Sequence, residues 1–461
     1  MKKINLILLL LVMLLGSQYA SAQYKLPLYQ KVTLNNGLTI YLMERHEVPV
    51  ISVSAIMPAG AIYDGSKAGL ASLTATSLMN GSKNYTKEKL DEELDFIAAS
   101  VETYSSKEFA GLTAKFAAKD QTKVLGIIKS ILLDPSFDLN EFEKEKARLL
   151  VNLEQKKESP RSVINSYFDK AIYGNHVYGN VVSGTPTSVR PIKIEDLKTF
   201  YSANYFPEGS AIAVIGDFKT SDMKKMLENL FSSWKRSSKP QPNLAAKALN
   251  YPGEGTVMLV NKEDARETTF LIGAPGISRN NPDYVAIDVV NTYFGGRFTS
   301  LLNDELRVNS GLTYGARSRF LPLKNGGSFY ISSFTANKTT EAALDLAIKV
   351  LKRFHENGID KDALASAKNY VKGQFPPSYE TGSQLAGLLT QMYWYGFDES
   401  FINNFEKNVD ELTVDKAKNI IQKYFPSDKL QFVLVGKADE INTIAEKFGK
   451  VKVVDIKNDI P

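Results

Sequence analysis

Cysteine and histidine, the residues most typical of zinc sites, are absent or scarce in this chain of 461 residues. There is no cysteine, which excludes thiol catalysis and thiolate zinc sites. The three histidines are His46, His176 and His355, and none has a second histidine four residues away. Two histidines at that spacing would share one helical face and could bind zinc. We therefore expect each histidine to be a surface residue or a hydrogen-bonded loop residue.

One segment has the pattern of an active-site helix without its reactive side chains. The stretch GLASLTATSLMNGSKNYTKEKLDEELD, residues 69–95, begins with small and apolar residues and continues through a Gly-Ser turn into a charged helix. Its first turns hold no side chain that zinc prefers and none suited to proton transfer. The sequence therefore predicts a helix near 68–80 that lacks catalytic chemistry.

The elements that would position this helix occur twice in the chain. A strand near 50–60 precedes the helix near 68–80, as a strand at 268–276 precedes a helix near 282–295. Later in each half, the segments ANYFPEGSAIAVIGDF and QKYFPSDKLQFVLVGKA share a Tyr-Phe-Pro turn that leads into an apolar strand. The chain is thus predicted to contain two copies of one fold, each of about 210 residues.

A polar, proline-rich segment separates the two copies. It contains KRSSKPQPNLAAKALNYPGEG and is predicted to be a linker at 235–256. The first domain then covers 23–234 and the second covers 257–461. Strands are grouped with helices in each, without regular βαβ alternation, which favours an α+β fold with one α/β sandwich in each domain.

The N-terminus has the pattern of a secretory signal peptide. Two lysines precede an apolar run at 6–15, and an Ala-Ser-Ala sequence ends at Ala22. An apolar run of about ten residues is too short to span a bilayer. We expect residues 1–22 to be cleaved, leaving a periplasmic or extracellular protein with no integral membrane segment.

Charge and the remaining motifs exclude other classes of function. Cleavage would remove two lysines and lower the formal charge from +5 to about +3, too little to predict binding to nucleic acid or anionic membranes. The stretch GGRFTSLL at 295–302 predicts a glycine turn into a packed helix, because no phosphate-binding pattern follows. The aromatic run QMYWYGF at 391–397 predicts packing in the core or between domains.

Four segments, taken in order, cover nearly all of the mature chain. They are LNNGLTIYLMERHEVPVISVSAIMPAGAIYDGSKAGLASL, AIYGNHVYGNVVSGTPTSV, FYSANYFPEGSAIAVIGDF and YFGGRFTSLLNDELRVNSGLTYGARS. In this order they resemble the pitrilysin/insulinase family of zinc peptidases. The similarity is to its two-domain members, such as the mitochondrial processing peptidase subunits and bacterial zinc proteases. The resemblance implies two homologous domains that form half of a clam-shell peptidase.

The resemblance also implies a catalytic motif that this chain lacks. Family members carry H-x-x-E-H on a helix, with the histidines as zinc ligands and the glutamate activating water. The motif follows a Gly-Leu-Ala-like lead-in and corresponds here to residues 72–76. Ser72 and Thr76 replace the histidines, and Ala75 replaces the glutamate. Hydroxyl groups are poor zinc ligands, and alanine cannot accept a proton.

The third zinc ligand of the family is a glutamate on a later helix, here FEKEKARLLVNLEQ. Asn152 occupies its position, and Glu154 lies two residues further on, which turns it roughly 200° around the helix. We therefore predict no metal or other cofactor in this chain. We expect Ser72, Thr76 and Asn152 to hydrogen-bond to one another or to a water molecule.

In active relatives, an arginine and a tyrosine of the second domain contact the substrate backbone and the oxyanion. The stretch LRVNSGLTY supplies Arg307 and Tyr314 at the matching spacing. A guanidinium and a phenol are suitable donors to a carbonyl oxygen that acquires negative charge. The structural alternative is that Arg307 forms an ion pair and Tyr314 begins a strand in the core.

The resemblance leads to the hypothesis of a non-catalytic subunit in a heterodimeric metallopeptidase. A homologous partner would carry H-x-x-E-H and the zinc, and this chain would contribute Arg307 and Tyr314 to the binding of peptide substrates. The alternative is a structural or peptide-binding scaffold with no role in catalysis. An autonomous peptidase with an unusual metal site is disfavoured, because the sequence has no suitable cluster of carboxylates.

Overall fold

A computed structural model describes residues 24–237, 241–249, 251 and 255–460. The predicted signal peptide and parts of the predicted linker lie outside the described residues. Within the described residues, no helix combines the length and the apolar character needed to cross a membrane.

The described residues form fourteen strands and a larger set of helices, several of them only one turn long. The strands are β1 Gln30–Thr33, β2 Thr39–Glu44, β3 Val50–Met57, β4 Gly81–Ser82, β5 Tyr85–Thr86, β6 Ser100–Ser105, β7 Ala110–Ala117, β8 Ala211–Gly216, β9 Thr256–Asn261, β10 Glu267–Pro275, β11 Arg317–Leu323, β12 Gly326–Ala336, β13 Gln431–Gly436 and β14 Lys450–Asp455. The helices are α1 Leu70–Ser77, α2 Lys87–Phe96, α3 Gln121–Leu133, α4 Leu139–Lys156, α5 Pro160–Tyr173, α6 Pro186–Val189, α7 Ile194–Asn204, α8 Thr220–Phe231, α9 Tyr284–Asn291, α10 Leu301–Asn303, α11 Thr340–Asn357, α12 Lys361–Gln374, α13 Gly382–Tyr395, α14 Ser400–Asn403, α15 Phe405–Asp410, α16 Val414–Tyr424 and α17 Ala438–Ala445.

The two six-stranded sheets have the same central topology. The first has the order β1-β2-β8-β3-β7-β6, and the second, read from its opposite edge, has the order β14-β9-β13-β10-β12-β11. The pairs β2–β8 and β9–β13 are parallel, and the strands that follow each pair are antiparallel. One outer strand differs, since β1 is antiparallel to β2 whereas β14 is parallel to β9. This correspondence confirms the predicted α+β fold with two homologous sandwiches.

Each sheet is covered on one face by a helix from the other half of the chain. Helix α5 of the first half packs on β10 and β13, and helix α13 of the second half packs on β3 and β8. Strand β3 therefore has two buried faces: Ile51 and Val53 lie in the core of the first half, while Ser52 and Ser54 face α13. The Ser52 hydroxyl lies 3.1 Å from that of Ser383, and the Ser54 hydroxyl lies 3.0 Å from that of Thr390.

The contact of α5 with the second sheet centres on Phe168. Its ring is 1% exposed and makes an edge contact with Tyr330 at a centroid distance of 5.6 Å. It also lies against Gly273 of β10, where an added Cβ would come within 2.7 Å of the Phe168 ring. A side chain larger than hydrogen at this position of β10 would push α5 away from the sheet.

Two hairpin turns, β6–β7 and β11–β12, meet between the halves. Glu108 in the first turn is buried and accepts hydrogen bonds from the Tyr178 hydroxyl and, at 3.0 and 3.1 Å, from the Lys324 N–H in the second turn. Burial raises the pKa of the Glu108 carboxyl, and these hydrogen bonds oppose the rise. The Trp394 ring makes an edge contact with Phe109 of the first turn at a centroid distance of 5.4 Å, so part of the run 391–397 packs between the halves, as predicted.

The helices predicted near 68–80 and 282–295 are present, but the α-helical part of each is shorter: a 3-10 turn at Leu78–Asn80 and a π-helical turn at Thr292–Gly296 complete them. Helix α1 ends at Ser77, and α9 ends at Asn291, where the chain widens into a π-helical turn at Thr292–Gly296. Gly295 in this turn lies so close to Ser318 that a Cβ would come within 2.5 Å of the Ser318 nitrogen. The close backbone approach requires glycine here, and hydrophobic periodicity does not reveal it.

A buried carboxylate caps the start of α1. Gly69, with φ 96°, turns the chain into the helix, and Asp64 accepts hydrogen bonds from the N–H groups of Gly69 at 2.9 Å and Ala71 at 2.7 Å. These bonds satisfy donors that the first helical turn leaves without partners. Burial raises the pKa of the Asp64 carboxyl to about 7, although both N–H groups act in the opposite direction.

Substitution of Phe168 by alanine should destabilise the second sheet, although Phe168 belongs to the first half. We expect the free energy of unfolding to fall by about 3–5 kcal/mol, because a large buried ring is replaced by a cavity. Hydrogen exchange should accelerate in β10, β12 and β13. Phe96→Ala is the matched control, since that ring is 86% exposed and its loss should cost little. Unchanged hydrogen-exchange rates in the second sheet would contradict the conclusion that α5 of the first half stabilises that sheet.

The Asp64→Asn variant should remove part of the pH dependence of stability. The folded carboxyl, with its pKa raised from 3.8 to about 7, binds a proton that the unfolded chain has released. Its stabilising contribution is therefore complete below about pH 3.8 and is lost as the pH rises through about 7. The stability of the wild type relative to the variant should fall by up to about 1.4 kcal/mol per pH unit over this range. Denaturant unfolding at several pH values measures this, with Asp415→Asn at an exposed position as the control.

Candidate functional site

Helix α1 carries three of the four positions where the family motif is lost. Ala75 is buried, Ser72 is half-buried and Thr76 is exposed. The Thr76 hydroxyl donates to the main-chain carbonyl of Ser72 at 2.6 Å, one turn earlier in the same helix. Thr103 of the edge strand β6 donates to the Ala75 carbonyl at 2.7 Å. The helix is thus held in place by packing and main-chain bonds.

Asn152, the fourth position, lies on α4, which packs against α1. Its side chain is exposed, and within the described part of the chain it forms no hydrogen bond with Ser72 or Thr76. The prediction of direct hydrogen bonds between these side chains is therefore wrong. The hydroxyl of a threonine inside a helix can donate a hydrogen bond to the carbonyl four residues earlier. The Thr76 hydroxyl therefore needs no partner on the neighbouring helix.

The donor groups at these positions do not fit zinc. The side chains offer two hydroxyls, one methyl group and one carboxamide, whereas zinc is held by imidazole, thiolate and carboxylate groups. Across residues 24–237, 241–249, 251 and 255–460, no group of three or more histidine, aspartate or glutamate side chains is arranged to hold a metal ion.

Two of the three histidines lie in ordinary surface and loop positions, and the third, His355, is a half-buried residue in the last turn of α11. His46 is exposed, with its Nδ1 at 2.7 Å from an Asp217 oxygen, and its pKa is raised by hydrogen bonds to Asp217 and Glu44. His176 accepts a bond from the Tyr178 N–H through Nδ1, and its Nε2 lies 3.1 Å from a main-chain carbonyl. The prediction of surface or hydrogen-bonded loop histidines is confirmed at these two positions.

Arg307 and Tyr314 lie next to each other in the second half. Arg307 belongs to a π-helical turn at Asp304–Asn309, and Tyr314 precedes β11. The guanidinium carbon of Arg307 is 5.1 Å from the centre of the Tyr314 ring and 4.6 Å from that of Phe298. The two rings are 75% and 66% exposed, so the guanidinium is held between two aromatic side chains that both face solvent.

The structural alternative for this pair does not match its surroundings. Among the described residues, no carboxylate forms an ion pair with Arg307. Tyr314 is not in the core, and the strand begins only at Arg317. The guanidinium and the phenol are therefore available as hydrogen-bond donors to a ligand.

A cavity of about 720 Å³ opens beside this pair. It lies over the face of the second sheet, and α5 of the first half contributes part of its wall. Besides Arg307, four further arginines line it, and the sequence analysis identified none of them as site residues: Arg161, Arg297, Arg317 and Arg319. Two of these, Arg317 and Arg319, alternate on β11, a pattern that could have indicated one charged face of an edge strand.

Comparison with known proteins shows which family the sequence matches. Residues 40–186 match the family described as "Insulinase (Peptidase family M16)", and residues 191–371 match the "Peptidase M16 inactive domain". One similar relative is the "Non-peptidase homolog YmxG" of Helicobacter pylori, 25% identical over 94% of this chain and 98% of the relative. Another is the "Uncharacterized zinc protease YmxG" of Bacillus subtilis, 22% identical over 76% of this chain and 85% of the relative.

Solved structures share the fold. A crystal structure of a peptidase M16 inactive domain from Pseudomonas fluorescens has a TM-score of 0.81 and 24% identity, and covers 89% of this chain and 98% of its own. A crystal structure of a protease from Helicobacter pylori has a TM-score of 0.82 and 21% identity, and covers 90% of this chain and 100% of its own. The chain belongs to the M16, or pitrilysin/insulinase, peptidase family, and the positions that correspond to its H-x-x-E-H motif and third zinc ligand hold serine, alanine, threonine and asparagine.

Proposed function

We propose that this chain is the zinc-less subunit of a heterodimeric metallopeptidase that cleaves peptides or unfolded proteins. A homologous partner supplies H-x-x-E-H and the zinc, and this chain supplies Arg307 and Tyr314 to the shared substrate cavity. The observation that carries the proposal is the contrast between the halves. The first has lost every catalytic position, whereas the second holds half-buried Arg307 beside exposed Tyr314, and Arg307 has no ion-pair partner in the described chain.

The proposed role of the pair follows from its donors. A guanidinium presents several N–H groups in one plane, and stacking against aromatic rings leaves those edges free. The Tyr314 phenol provides a further donor beside it. Directed at the carbonyl of a bound peptide, these donors stabilise the negative charge that develops on its oxygen and hold the peptide backbone in place.

The second candidate is a structural or peptide-binding scaffold without a catalytic contribution. The name of one relative, "Non-peptidase homolog", favours it. Under this alternative, Arg307 and Tyr314 take no part in any partner's reaction. The two candidates differ only in whether a partner's turnover depends on this pair.

The N-terminal sequence supports a location outside the cytoplasm. A signal peptide cleaved after Ala22 would export the chain to the periplasm or the medium. The partner must then be exported as well, which restricts the search to H-x-x-E-H homologues that carry their own signal peptide.

Replacing Arg307 by alanine should lower the turnover of the partner while leaving assembly intact. Loss of a donor to the developing oxyanion typically reduces the rate at least roughly 100-fold. The assay mixes the purified chain with each exported H-x-x-E-H homologue from the same cell and follows cleavage of a quenched unfolded peptide. Arg190→Ala, an exposed arginine at the end of α6, is the matched control. Equal turnover by the homologue alone, or by the mixture with Arg307→Ala, supports the scaffold instead.

Restoring the family motif should create a zinc site. The wild-type chain should retain no stoichiometric zinc after dialysis, because its four positions lack suitable ligands. A variant with Ser72→His, Ala75→Glu, Thr76→His and Asn152→Glu should bind about one zinc ion per chain, because α1 and α4 already pack together. Elemental analysis of both proteins measures this. Tightly bound zinc in the wild type would contradict the assignment of these positions.

A further inference from the structure

The cavity beside Arg307 and Tyr314 has an unusual concentration of positive charge. Five of its lining residues are arginines, and none of the described aspartates or glutamates lines it. The arginines come from separate elements: Arg161 from α5, Arg297 and Arg307 from the segment between α9 and β11, and Arg317 and Arg319 from β11. Like charges brought together in this way repel one another in the folded chain, so an acidic ligand would relieve the repulsion.

The carboxylates near the cavity compensate little of this charge. Arg161 lies 3.8 Å from Glu267, and both side chains are more than half exposed, which makes the pair weak. Glu305, close to Arg307 in sequence, pairs instead with Arg353 of α11 at 2.6 Å. Within the described chain, the hydrogen bonds of the Arg297 guanidinium go to neutral groups, namely the Thr299 carbonyl and the carbonyl and hydroxyl of Ser366.

Aromatic rings position several of the guanidinium groups. Arg161 lies 3.6 Å from the centre of the Phe334 ring, and Arg307 lies between Phe298 and Tyr314. A guanidinium that stacks on a ring keeps its in-plane N–H donors free, and these match the two oxygens of a carboxylate. The exposed rings offer apolar contacts beside those donors.

Two of the arginines have a regular spacing. Arg317 and Arg319 stand opposite Ser332 and Tyr330 of β12, which also line the cavity. Alternate residues of a strand project on one face roughly 6.6 Å apart, and an extended peptide presents alternate side chains at the same interval. A peptide with acidic side chains at alternate positions can therefore place one carboxylate at each guanidinium.

We infer that this cavity binds an extended acidic peptide segment, so that the substrates of the proposed complex carry aspartate or glutamate next to the region held by Arg307 and Tyr314. The inference rests on the proposed function for calling this peptide a substrate. Binding itself requires only the described residues of this chain. A volume of about 720 Å³ accommodates several side chains, and the combination of guanidinium groups and aromatic rings suits a peptide better than an isolated small anion.

The test measures fluorescence anisotropy of a labelled peptide with glutamate at alternate positions, titrated with the full chain in the absence of any partner. A matched peptide carries glutamine at the same positions. The glutamate peptide should bind at least roughly tenfold more tightly, and its affinity should fall as salt is added. Equal affinity of the two peptides, or affinity independent of salt, would overturn the inference.

Variants locate the binding to the cavity. The double variant Arg317→Gln/Arg319→Gln should weaken binding of the glutamate peptide by roughly tenfold, whereas Arg190→Gln should not change it. The double variant should unfold at the same temperature as the wild type or higher, because repulsion among the arginines decreases. Arg317→Lys/Arg319→Lys retains the charge and should bind more tightly than the glutamine variant. A folded glutamine variant that binds normally would contradict this location.

Competitors test the class of ligand. The competitors are inorganic phosphate, an oligothymidylate and the unlabelled glutamate peptide. If phosphate or the oligothymidylate displaces the labelled peptide at a lower concentration than the unlabelled peptide does, the ligand is a small anion or a nucleic acid, and the inference is overturned.

Failure of this inference differs from failure of the proposed function. If Arg307→Ala still lowers the partner's turnover but acidic peptides do not bind preferentially, only the substrate class is wrong. If acidic peptides bind but no partner's turnover depends on Arg307, the cavity belongs to a scaffold.

Discussion

The packing of α5 and α13 across the two halves is the contact on which the rest of the structure depends. Each helix covers the open face of the other half's sheet, so neither sheet can bury both faces with its own half alone. Central strands such as β8 and β13 are buried along their whole length as a result. This arrangement makes the two homologous halves a single unit, and it carries Arg161 on α5 into the cavity of the second half.

The same constraint explains why α1 persists without its chemistry. Leu70, Leu73 and Ala75 lie in the core of the first half, Asp64 caps the helix from a buried position, and Thr103 holds it to β6. Loss of zinc ligands on the outer side of such a helix removes catalysis without disturbing its buried face. The second half faces a different constraint: half-buried Arg307 and exposed Tyr314 lie outside its core, so packing alone does not require these two residue types.

Much of the fold could be predicted from the sequence because it depends on local patterns. The apolar strands, the Tyr-Phe-Pro turns and the repetition of strand and helix indicated two homologous sandwiches, and the sheets have that topology. The π-helical turn at Thr292–Gly296 was not predicted, because it depends on the close approach of Gly295 to Ser318 of β11. Of the bonds predicted for Ser72, Thr76 and Asn152, the direct side-chain bonds were wrong, because the Thr76 hydroxyl donates within its own helix.

The sequence by itself determined the duplication, the absence of zinc ligands in the family motif and the spacing of Arg307 and Tyr314, since each is a matter of residue type at a given interval. Only the tertiary structure decided which helix covers which sheet and which side chains share the cavity. Hydrophobic periodicity identifies an apolar helical face but not its partner. Four of the five arginines lie within residues 297–319, and only the packing of α5 on the second sheet adds Arg161 to them.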